Sequence, residues 1–252
     1  MTIEPDSPSR PGALFPQFPK HRVSLPEAYQ KIYASYYRQN RNGASPATSL
    51  GKRMESWMHR RAAEDAPGTT SPTLEVGAGS LNHLAYEPGT APYDIVEPFT
   101  ELYEGSPLRK RVRNAYKDVR GIPPETRYTR IISIAAFEHI CDLPAVVAVC
   151  GLLLSENGRL RVGIPSEGSV LWKLGWTLTT GVEYRLKHGL DYGLLMRYEH
   201  VNTAAEIVEI LRYFFGVLHT RVFGVSCNLS FYQFHECARP DLNRCSAYIS
   251  SL

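Results

Sequence analysis

An α/β fold built on a mostly parallel sheet is what this chain predicts, and three stretches predict it. Thr73-Leu74-Glu75-Val76 is a short β-type run that enters a two-glycine turn, Gly77-Ala78-Gly79. About twenty residues further on, Tyr93-Asp94-Ile95-Val96 is a second such run, closed by the acid Glu97. Arg130–Ile134 is almost wholly apolar, as expected of a parallel strand covered on both faces. Strands alternating with helical spacing imply right-handed crossovers.

Taken in order, residues 1–22 are rich in Pro and Ser and read as a mobile tail. Residues 23–66 read as an N-terminal helical cap or lid. Ser24-Leu25-Pro26-Glu27 starts it, with Ser24 as cap, and Tyr29, Tyr33, Tyr36 and Tyr37 share one face. That face either packs on the domain or closes over a pocket. Asn40-Arg41-Asn42-Gly43 ends it, and Arg53–Ala63 reads as the helix before the first strand. Residues 67–252 form the main domain, with an insertion at about 166–200. Phe99–Tyr103 begins a helix between strands two and three, and a short third strand is expected near Arg113–Tyr116. Leu143–Leu154 is a helix capped by Asp142, and Arg159–Gly163 is the fifth strand. The insertion carries Trp172, Trp176, Tyr184, Tyr192 and Tyr198 between glycines. It reads as an acceptor pocket, as a helical subdomain with its own aromatic core, or as a membrane-surface patch flanked by Lys173, Arg185 and Lys187. Asn202 is expected to cap the last long helix, and His219–Val225 with Leu229–Glu236 alternate as a closing hairpin.

Composition excludes several classes. The 28 basic and 25 acidic residues nearly balance, so bulk charge gives no argument for nucleic acid. Five cysteines without a C-x-x-C pair predict reduced thiols, a cytoplasmic protein and no metal site. No apolar run reaches the roughly 18 residues of a spanning helix.

The glycine turn leaves backbone N–H groups pointing outward, which suits an anionic ligand group. The dinucleotide fingerprint, however, has a third glycine where this chain has Asn82, and Glu75 would repel a pyrophosphate. A ligand with an ammonium, a sulfonium and one carboxylate fits better.

Glu75-x-Gly77-x-Gly79 with Glu97 resembles motif I and the following acidic position of the class I S-adenosylmethionine-dependent methyltransferases. Asp118-Val119-Arg120 with Ile122-Pro123 is similar to the adenine-contacting segment of that family. Residues 131–140 resemble its strand-four motif, and Leu152-Leu153-Leu154 through Gly158–Val162 its approach to strand five. The resemblance covers roughly 70–165. It implies a Rossmann-like seven-stranded, mostly parallel sheet with an antiparallel last strand, and S-adenosylmethionine as cofactor. Gly77 and Gly79 would approach the methionine part and Glu75 its ammonium. Glu97 would accept from the ribose hydroxyls, Asp118 from the adenine amino group, with Val119 presenting backbone, and Ala135 would lie near the sulfonium.

A hydroxyl acceptor needs its proton removed. His139, beside Glu138 at the end of strand four, and the pair Glu199-His200 at the end of the insertion are the candidates. His83 and His188 read as ordinary polar residues, and Arg161 and Lys173 as anchors for an anionic acceptor or as solvated charges. The activity expected is methyl transfer to a small molecule, at a hydroxyl of a glycan or glycolipid precursor. The alternatives are a catalytically inactive cofactor-binding partner in a complex and an NAD-dependent oxidoreductase.

Overall fold

The computed structural model describes residues 14–30, 32–33, 49–65, 70–87, 89 and 91–252. Tyr36, Tyr37, the Asn40–Gly43 helix end and residues 1–13 of the expected tail lie outside them. Seven strands form one sheet in the order β3-β2-β1-β4-β5-β7-β6. β1 (Thr73–Val76), β2 (Tyr93–Val96), β3 (Ala115–Tyr116), β4 (Tyr128–Ile134) and β5 (Leu154–Pro165) run parallel. β6 (Phe215–Ser226) and β7 (Leu229–Pro240) form the hairpin, with β7 antiparallel to β5. Sequence order reverses between β1 and β4, which opens a crevice at the carboxyl ends of those strands.

Side chains alternate across the sheet, so each strand feeds two layers. Leu74, Val76, Ile131, Leu160, Val162 and Ile164 point into the larger core. That core is covered by α2 (Leu143–Leu153), α6 (Ala204–Phe214) and α7 (Leu242–Ser250). On the other face α1 (Ser49–Ala63) places Met58 and Ala62 against Ile134 and Phe234. Met58 packs directly over Gly163, where a Cβ would stand in ordinary contact at 3.5 Å. Short 3-10 turns, Asn82–Ala85 between β1 and β2 and Thr100–Leu102 and Pro107–Arg111 between β2 and β3, make the connections. The expected helix from Phe99 therefore stops after one turn, because Gly105 and Pro107 interrupt it.

Three further expectations are corrected. Residues 14–22 are bound rather than loose. Phe15 is buried against Tyr213, Phe214 and Tyr248, and Lys20 pairs with Glu206. Asp142 stands at the start of α2 but makes no capping hydrogen bond through its side chain. Thr203, not Asn202, caps α6 through a reciprocal box with Glu206, while buried Asn202 donates to the carbonyls of Phe137 and Ile140. α7 was not anticipated; Asp241 caps it by accepting from Arg244 N.

The insertion folds as α3 (Val170–Trp176), a π turn at Thr177–Gly181, α4 (Val182–His188) and α5 (Tyr192–Glu199). Its aromatics divide between two of the expected roles. Tyr184 and Tyr192 belong to an internal core, and Trp176 and Tyr184 each make a tilted ring contact with Tyr192. That core also takes Leu25 and Tyr29 from the N-terminal cap, where 27–30 is helical. Tyr198 instead lines the crevice described below, and Trp172 packs on His200 and Tyr232. Val170, Leu174, Leu178, Val182 and Leu186 form an exposed outer stripe.

Candidate active site

The crevice is a cavity of about 1110 Å³ that runs from the two-glycine turn to the ends of β4 and α5. At its first end Gly77, Gly79 and Leu81 all take positive φ, at 77°, 51° and 67°. The N–H groups expected to point outward for an anion are instead used within the protein: Gly77 and Ala78 donate to Val96 O, Gly79 to Glu97 and Leu81 to Ala78 O. Leu81 holds this strained conformation by burying its side chain completely in the core beneath the turn. Gly77 has no room for a side chain, since a Cβ would stand 2.3 Å from that of Ala136. A Cβ on Gly79 would meet nothing within 4 Å, so the space before it is open to a ligand.

Two buried acids flank the turn. Glu97 follows β2 and accepts from Gly79 N at 2.9 Å and from Phe99 N at 3.1 Å, so both its oxygens are fixed at the cavity edge. Glu75 accepts from the Tyr93 hydroxyl at 2.8 Å. Burial pushes its carboxyl up to about 8, because its hydrogen-bond partner is a neutral phenol rather than a cation. Asp118 and Val119 also line the cavity. The Asp118 carboxylate, however, is held by Arg120 side-chain and backbone N–H groups, which also keep its pKa below the usual range. Ala135 ends β4 at φ 50°, with its N–H on Gly163 O.

Beside the glycine turn lie two histidines that act as part of a buried network. His83 Nε2 bonds Glu87 and its Nδ1 faces His59 Nδ1 at 3.1 Å. Burial works against the Glu87 carboxylate, but His83 and Arg130 outweigh it and hold the group at about 2. His83 is thus a core residue rather than an ordinary polar one. Arg161 is likewise no anchor for an acceptor: it is buried against Asp65, Glu236 and Phe234.

At the other end His139 and Glu199 line the cavity, and Glu138 and His200 stand beside His139. His139 Nδ1 donates to the Glu199 carbonyl at 2.8 Å, and the Glu199 carboxylate lies 3.5 Å away. His200 Nδ1 bonds Glu167 at 2.7 Å, and Trp172 donates to the same oxygen. Both rings therefore carry hydrogen on Nδ1 and leave Nε2 without it when neutral. Glu138 is 2% exposed, its Oε2 has no hydrogen-bond partner, and burial pushes its carboxyl up. Arg22 ties the group together by donating to the carbonyls of His139, Tyr198 and Glu199.

The structure thus brings His139, His200 and Glu199 together, and Glu75, Gly77, Gly79, Glu97, Asp118, Val119 and Ala135 onto one wall. Arg22, His59, Glu167 and Tyr232 also belong to the cavity or its support, and no sequence reading singled them out. Only Glu167 had a signal, its place just past the end of a parallel strand.

No protein-family model matches the chain, and no curated protein does. Among solved structures it is similar to an S-adenosylmethionine-dependent methyltransferase of Thermotoga maritima described as a possible histamine N-methyltransferase. The TM-score is 0.54 at 14% identity, over 84% of this chain and 98% of that one. It is also similar to the N-methyltransferase NodS of Bradyrhizobium japonicum bound to S-adenosylhomocysteine. There the TM-score is 0.53 at 12% identity, over 86% and 100%. The mitomycin 7-O-methyltransferase MmcR gives 0.52 at 16%, over 85% of this chain and 61% of that one. At such identities the likeness concerns architecture: the chain has the Rossmann-like fold of class I methyltransferases.

Proposed function

We propose that this chain is an enzyme transferring a methyl group from S-adenosylmethionine to a hydroxyl of a small-molecule acceptor, working in the cytoplasm. The observation that carries the reading is one continuous cavity with chemically different ends. At the first end, the buried acid Glu75, the open space before Gly79 and the fixed carboxylate of Glu97 suit an ammonium, a ligand chain passing close to the backbone and a ribose. Glu75, Gly77, Gly79 and Glu97 would hold the cofactor there, with Asp118 and Val119 toward its adenine. When bound, the cofactor supplies an electrophilic methyl group on a sulfonium.

The protein supplies orientation, exclusion of water and a place for the acceptor's proton. Tyr33, Tyr198 and Tyr232 wall the second end, and rings of this kind stack on sugar faces, which favours a glycan or glycolipid precursor. Nε2 of His139, which lines the cavity, is the group that meets the acceptor oxygen, with His200 and Glu138 packed beside it. Glu199 acts through His139, which it orients. The rival reading, an inactive cofactor-binding partner protein, lacks a damaged group at either end to support it.

Calorimetric titration with S-adenosylmethionine, with NAD as control, tests the cofactor. Glu97→Ala removes a charged acceptor worth about 1.5–3 kcal/mol, so binding should weaken about 10- to 100-fold. Equal affinity in the two proteins, or a preference for NAD, would sink the reading. Radiolabelled methyl transfer into fractionated extract then identifies the acceptor. Label tracking protein or RNA would exclude a small molecule.

A further inference from the structure

We propose that Glu138, His139 and His200 bind one divalent first-row transition cation at the acceptor end of the cavity. One ligand atom from each of the three lies within 4.8 Å of the others, and His139 Nε2 stands 3.8 Å from Glu138 Oε1. A cation with bonds of about 2.1 Å draws its ligands to roughly 3–3.5 Å from one another, a closure that small side-chain rotations achieve.

Two independent features point to a ligand. The hydrogens of both imidazoles are committed to the far side, His139 to the Glu199 carbonyl and His200 to the Glu167 carboxylate. Outer partners of this type fix the tautomer and orientation of metal-binding histidines. Their two Nε2 lone pairs are thereby left for the cluster. Glu138 adds a buried carboxylate whose Oε1 faces His139 and whose Oε2 has no hydrogen-bond partner among the described residues, a state such an interior ordinarily does not tolerate. Two imidazoles and one carboxylate make a donor set suited to manganese, iron, cobalt or zinc rather than magnesium or calcium, and His139 brings it to the cavity wall.

The role of the ion, though not its binding, rests on the methyl-transfer reading. A coordinated acceptor hydroxyl is more acidic and loses its proton to water. Its oxygen forms the O–C bond while the C–S bond of the donor breaks with the electron pair on sulfur. The histidines then serve as ligands rather than as the base.

The test is a Co²⁺ titration of the chelator-treated full-length protein, followed by calorimetry and visible absorption. One saturable equivalent is expected, weakened about 100-fold or more in His200→Ala and in Glu138→Gln. S-adenosylmethionine affinity, measured on the same samples, should stay within about twofold, which also checks that the variants fold. Absence of saturable binding by the native sequence, or unchanged affinity in both variants, overturns the site. If a variant does not fold, pulsed electron paramagnetic resonance of the Cu²⁺-loaded native protein decides: fewer than two coordinated imidazoles overturns it. Metal binding without cofactor binding would leave the site standing and remove the methyl-transfer reading instead.

Discussion

Glu75 carries the sharpest electrostatic tension in the cavity. Burial holds its proton on up to about pH 8, whereas the unfolded chain releases it near the ordinary 4.5. Between those values the folded state binds more protons than the unfolded one. The stability associated with this group is therefore complete below about pH 4.5 and lost as pH rises through about 8. Glu75→Gln keeps an acceptor for Tyr93 and does not titrate. Urea unfolding at several pH values should show the variant gaining on the native protein from pH 5 to 8, while its affinity for S-adenosylmethionine falls. A pH-independent difference would contradict this account of the acid. Glu75, Gly77, Gly79 and Glu97 were legible because one short motif encodes both the turn and its acids. Leu81 was not. Its positive φ is sustained by a side chain buried in a core that only tertiary packing creates.

Among the elements, those that belong to the sheet were readable and the links were not. β1, β2 and β4 announce themselves as apolar runs, and the hairpin by alternation. The stretch between β1 and β2 contains Pro88, Gly89 and Pro92, which leave space for one 3-10 turn. The N-terminus of α6 was misread by one residue, although Thr203 and Glu206 stand at the spacing of a capping box. Asn202 is drawn away by the carbonyls at 137 and 140, a contact between segments 62 to 65 residues apart that no local pattern reveals. Thr203→Ala should accordingly cost about 1 kcal/mol in denaturant unfolding. Retention of full stability would return the capping role to Asn202.

At the scale of the molecule, the two ends of the cavity were unequally readable for a topological reason. The cofactor end is built from β1, β2 and the turn between them, neighbours in both sequence and space. The acceptor end is assembled from Arg22, the end of β4, Glu167 after β5 and the end of α5, which meet only when the insertion returns to the sheet. Arg22 bridges that gap, so an N-terminal segment expected to be loose becomes part of the wall. A cofactor seated along the whole crevice would favour the folded state without touching the unfolded one. At one hundred times its dissociation constant it adds about 2.7 kcal/mol, which for a chain of this size raises the melting temperature by roughly 5–10 °C. Thermal scans with and without S-adenosylmethionine should show that rise in the native protein. In Glu97→Ala, at the same ligand concentration, it should shrink to about half or less, because weaker binding lowers the occupancy ratio. A rise of equal size in both would place the ligand elsewhere than against Glu97, and with it would go the assignment of the two ends.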